Sequence, residues 1–76
     1  MGAMRILDAT GDTLVTWEVG DELAVRQAAD LFAQLARERK IPFARASGAP
    51  AESAEQINVF DPNAEEIIWI RPIAGG

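Results

Sequence analysis

The run IIWIRPI, residues 67–73, is apolar at nearly every successive position, so a strand made from it shows hydrophobic side chains on both faces. Such a strand belongs inside a sheet, with a partner on each side. A chain of seventy-six residues makes one small domain, so there is one sheet for it to enter. Everything before residue 67 is therefore constrained to supply its neighbours and a cover for at least one sheet face.

The upstream sequence offers those parts in order. MRILD, residues 4–8, is short and mostly apolar, and ATGD at 9–12 reads as a turn centred on Gly11. TLVTWEV, residues 13–19, is rich in β-branched and aromatic residues, with Val15, Trp17 and Val19 on one face and Leu14, Thr16 and Glu18 on the other. The two runs predict a hairpin. Asp21 is placed to cap a helix, and Val25, Ala28, Ala29, Phe32, Leu35 and Ala36 recur three and four apart. The helix is predicted over residues 21–40, with Arg37, Arg39 and Lys40 at its negative end and Pro42 stopping it. Residues 42–46 predict a third strand, 47–56 a small, polar surface loop, and 57–60 a short fourth strand. DPN at 61–63 has type I turn composition. The sum is an α+β fold, a mixed sheet with the first and last strands adjacent and parallel and the helix packed on one face through Val25, Ala28, Phe32 and Leu35.

Composition removes several functions. Neither cysteine nor histidine is present, which takes away disulfides, thiolate metal sites, the usual zinc ligand and the usual general base at neutral pH. An enzyme acting alone is not expected, nor a cofactor. The net charge of −5 argues against a nucleic-acid backbone as partner. No apolar stretch approaches the ~20 residues of a membrane helix, so no membrane is expected either. MGA before Met4 reads as a cloning remnant, the lack of cysteine permits a cytoplasmic location, and a monomer is expected.

The hairpin MRILDATGDTLVTWEV resembles the opening of ubiquitin-like proteins, and the ending IIWIRPIAGG is similar to that of the small subunit of molybdopterin synthase. Together with the element order these identify the chain as similar to the β-grasp family of ubiquitin and the bacterial sulfur carriers. The resemblance implies a domain over residues 4–73 and a flexible tail at 74–76. It also implies that the terminal carboxylate is adenylated by an ATP-dependent activating enzyme and passed to an acceptor protein. Gly75 and Gly76 would be the carrier tail, because glycine lacks the Cβ that would block a narrow channel. Ile68, Ile70, Arg71, Pro72, Ile73 and Ala74 would contact the partner.

Each signal has a plainer reading. Two final glycines can be a frayed end. Lys40 is the only lysine, a bias that a GC-rich genome explains. Glu65 and Glu66 are better taken as a solvated turn than as an acid–base pair. At least one of Trp17 and Trp69 belongs to the core. With a single helix, only one sheet face can be covered, and either Ile68 with Ile70 or the set Ile67, Trp69 and Arg71 lies toward the other. That face is either an exposed docking patch or is covered by the loop at 47–56. The competing function is a small interaction or assembly module that uses this face and has no need of the tail.

Overall fold

The computed structural model describes residues 1–8, 11–46 and 48–71. Within them the elements are β1 (Gly2–Asp8), β2 (Gly11–Trp17), α1 (Glu22–Arg37), β3 (Ile41–Arg45), β4 (Glu55–Gln56) and β5 (Glu66–Ile70), with a 3-10 turn at Ala51–Ser53. The strands make one five-stranded mixed sheet in the order β2-β1-β5-β3-β4, an α+β fold. β5 is central, as its two apolar faces require: it runs parallel to β1, with Met4 beside Ile67, and antiparallel to β3, with Phe43 beside Ile68. It ends at Ile70, short of residue 73. Positions 72–76, like Ala9, Thr10 and Ser47 of the expected turn and loop, lie outside the described residues.

The hairpin register runs from Gly2 beside Trp17 to Asp8 beside Gly11. β2 therefore sits two residues earlier than the sequence suggested, while β1 gains two residues at its start and ends at Asp8 as expected. β1 begins at Gly2 rather than Met4, and the Ala3 N–H donates to Glu65 O at 3.0 Å. Val19 leaves the core face and is 48% exposed, in the turn where the Asp21 N–H reaches Glu18 O at 3.0 Å.

Asp21 caps α1 as predicted, its Oδ1 accepting from the Ala24 N–H at 3.2 Å. The helix stops before Pro42 can act. Arg39 takes a φ of 64°, its N–H donating to Ala36 O at 3.2 Å, and the Lys40 N–H donates to Leu35 O at 3.3 Å. This pair of bonds around a left-handed residue is the Schellman ending, here without glycine. Pro42 lies inside β3 and is buried. Its carbonyl accepts from the Ile57 N–H at 3.1 Å, on the side away from β5, so the ring nitrogen also faces that way. The ladder to β5 loses nothing by the missing donor.

Met4, Ile6, Trp17, Ala28, Phe32, Leu35, Ala64, Ile67 and Trp69 form the buried core, with Val25 and Leu31 packed beside it. Both tryptophans are interior. Ala36, expected on the apolar stripe, is exposed. One helix does not close this core by itself. The chain after β4 must travel from the sheet edge back to its centre, and it crosses the helix face, where Phe60 sits 5.2 Å from the Trp17 ring and 5.9 Å from that of Phe32. This crossing displaces the strand expected at 57–60: Ile57 and Phe60 pack on the core, Val59 is 75% exposed, and the fourth strand falls at Glu55–Gln56.

Candidate functional site

Side chains alternate across a strand, so the register assigns each one to a face. Ile67 and Trp69 point under the helix, with Met4, Ile6 and Trp17. Ile68 and Ile70 point to the opposite, uncovered face. Three rows cross that face. Thr16, Ala3, Glu66 and Arg45 make the first, and Leu14, Arg5, Ile68 and Phe43 the second. In the third, Asp12, Leu7, Ile70 and Ile41 lie at the end where β5 finishes.

The two ends of the face differ in chemistry. At the first row the Arg45 guanidinium reaches Glu65 at 2.9 Å and Glu66 at 3.4 Å, and the Arg5 Nε stands 3.6 Å from Glu66. Glu65 and Glu66 thus both engage Arg45, because Glu65 precedes the strand and is free of its alternation. These are partly solvated pairs, which fix geometry more than they stabilise. At the other end Leu7, Ile41, Phe43, Ile68 and Ile70 are partly exposed, and Leu14 is 55% exposed. The result is an apolar surface bounded by paired charges at one end and flanked by Asp12 on β2 at the other.

The described part of the 48–56 loop is tied to the charged end. Ala49 O accepts from Arg45 Nη1 at 2.9 Å, and the Gly48 N–H donates to Glu65 at 3.3 Å. The loop then becomes the edge strand β4. Beside it lies an open cleft of about 520 Å³ bordered by Ala44, Ser53, Glu55, Asp61 and Asn63. Asp61 Oδ1 is engaged by the Asn63 N–H at 2.9 Å, a local turn. No cluster of three or more acidic residues suited to a metal ion occurs among the described residues, and no helix there is long and apolar enough to cross a membrane.

Of the partner contacts expected from the sequence, Ile68 and Ile70 share the uncovered face and Arg71 is exposed just beyond them. Pro72, Ile73, Ala74, Gly75 and Gly76 lie outside the described residues. The sequence reading missed Arg5, Leu7, Ile41, Phe43 and Arg45 as members of this face. Their signal was present as alternation within β1 and β3, but it becomes a surface only once the register places the strands side by side. Comparison with family models, curated protein sequences and solved structures finds no match to this chain.

Proposed function

We propose that this chain is a β-grasp protein of the ubiquitin-like and sulfur-carrier kind, working through a C-terminal Gly-Gly carboxylate. The observation that carries the reading is the position of β5. It is central and parallel to β1, and it ends beside Leu7, Ile41 and Ile70, so Arg71 emerges from the middle of one sheet end next to the apolar surface. A tail leaving there can enter a channel while the adjoining face rests on the enzyme that owns the channel.

On this reading the Gly76 carboxylate attacks the α-phosphate of ATP within an activating enzyme and displaces pyrophosphate. Hydrosulfide or an amine then attacks the acyl-adenylate and releases AMP, leaving a thiocarboxylate or an amide. Gly75 and Ala74 would supply the narrowness, and proline at 72 has no N–H with which to extend a ladder. The chemistry belongs to the enzyme, so the carrier works without histidine or cysteine, in the cytoplasm. Sulfur carriage is preferred over conjugation because Pro-Ile-Ala-Gly-Gly is nearer the ending of those carriers.

Intact-mass spectrometry of protein from its own organism tests this. The expected result is a species heavier by the difference between sulfur and oxygen, localised to Gly76. Ladders of larger adducts indicate conjugation. A free carboxylate throughout, with cells indifferent to an extra residue after Gly76, overturns the proposal.

The partly exposed Leu14, Phe43, Ile68 and Ile70 favour a second reading, an interaction module that uses the face alone. Partner binding unchanged by removal of Gly75 and Gly76 selects it.

A further inference from the structure

The two edges of the sheet are unlike. β4 offers only two residues, Glu55 and Gln56, too short to template another strand. β2 runs for seven residues with an unbroken register against β1. It carries no proline and no lysine, and Asp12 is its one charge. Natural sheets usually blunt a long edge with such devices or with a bulge. Asp12 is the one such device on this edge.

The register also says which backbone groups the edge presents. The Ala3 N–H donates to Glu65 O at 3.0 Å, toward β5. In an extended strand the N–H and C=O of one residue point the same way, and successive residues alternate. Ala3, Arg5 and Leu7 therefore face β5, and their β2 partners Thr16, Leu14 and Asp12 face away from β1. Each of these three turns an N–H and a C=O to the open edge. Their side chains all lie on the uncovered face, and Leu14 is the most exposed large apolar residue of β2.

We propose that this edge pairs with β2 of a second copy of the chain, antiparallel about a two-fold axis at Leu14, to make one continuous sheet. In this register Leu14 meets its own copy and Asp12 meets Thr16 on each side of the axis. All three outward-facing positions are used, and no like charges are opposed. Sliding by two residues one way sets Asp12 against Glu18 twice. Sliding the other way drops Thr16 from the ladder, because β2 begins at Gly11. A slip of one residue opposes outward-facing groups to inward-facing ones. The contact is self-complementary, and the blunted β4 edges stop it at two copies instead of a growing fibre. The surface is separate from the tail, so it does not depend on the carrier reading. The proposal departs from the monomer expected from the sequence.

Sedimentation equilibrium of the full chain over rising concentration tests the proposal. A reversible change from 8.2 kDa to twice that value is expected. Leu14→Lys sets two ammonium groups together on the axis and should raise the dimer Kd about tenfold or more. Leu14→Pro removes an outward N–H that β1 does not use, so it should abolish the dimer while the folded circular dichroism spectrum persists. Thr16→Lys places a cation opposite each Asp12 and should tighten the dimer several-fold at low salt. A chain that stays at 8.2 kDa at every concentration overturns the proposal, as does a dimer indifferent to both lysine substitutions. So does a monomer whose Asp12, Leu14 and Thr16 amide resonances move only when a synthetic Val-Thr repeat peptide is added, since the edge then serves a different chain.

Discussion

Gly2 lies directly against the indole of Trp17: a β-carbon added at Gly2 would overlap Cζ2 and Cε2 and come within 2.8 Å of Nε1. The ring cannot retreat, because it is 2% exposed and its Nε1–H donates to Pro62 O at 3.0 Å. Gly2→Ala should therefore cost about 1–3 kcal/mol through overpacking, read as a lowered urea midpoint with unchanged slope. Gly20→Ala is the control: a β-carbon there meets nothing within 4 Å, and stability should hold or rise slightly. Equal effects at the two glycines would show that the Gly2–Trp17 contact has no energetic consequence.

The two buried tryptophans should respond differently to the same change. Trp17 has its N–H satisfied by Pro62 O, whereas Trp69, 0% exposed, has a buried Nε1 with no hydrogen-bond partner among the described residues. Replacement of either by Phe leaves a smaller ring, but only Trp17→Phe strands a carbonyl, and Trp69→Phe removes an unsatisfied donor. Trp17→Phe should be the more destabilising by about 1 kcal/mol, although Trp69 is the more deeply buried. Denaturant unfolding of the pair decides, and the reverse order contradicts the hydrogen-bond argument.

Arg39 holds a φ of 64°, which costs a residue with a β-carbon of order 1 kcal/mol or more. Glycine takes this conformation freely, though its greater freedom in the unfolded chain returns part of the gain. Arg39→Gly should stabilise the protein by about 0.5–1 kcal/mol, a rise of a few degrees in Tm. A fall in Tm would mean that the arginine side chain contributes more than the backbone strain costs.

The elements were legible where local chemistry sets them. The Asp21 cap, the spacing of Ala28, Phe32 and Leu35, and the two-faced apolarity of Ile67 to Ile70 each specify an outcome within a few residues. What failed was set by partners distant in sequence. The apolar IN-VF segment has strand composition, yet Phe60 is drawn to the rings of Trp17 and Phe32 and the strand forms at Glu55–Gln56. Pro42 suggested a helix stop, but the left-handed Arg39 acts first, a position where composition predicts glycine. Of the uncovered face, Ile68 and Ile70 were readable as one alternating set. Which set faced outward, and that Arg5, Phe43 and Arg45 join it, depended on register.

That face and the tail can be tested against each other. β5 ends at Ile70, so removal of Gly75 and Gly76 should leave unfolding within about 0.5 kcal/mol of the parent. On the carrier reading the same deletion abolishes ATP–pyrophosphate exchange by the activating enzyme. Ile70→Ser, on the apolar end of the face, should weaken that exchange through a higher KM, by about tenfold if Ile70 is a well-packed contact. Ile67→Ser serves as the core control: Ile67 is 0% exposed beneath the helix, and its loss should unfold the domain before binding can be read. A module working through the face alone inverts the pattern, with partner capture insensitive to the glycines and lost with Ile70→Ser. If Ile70→Ser leaves both exchange and capture at parental levels, neither function uses this surface.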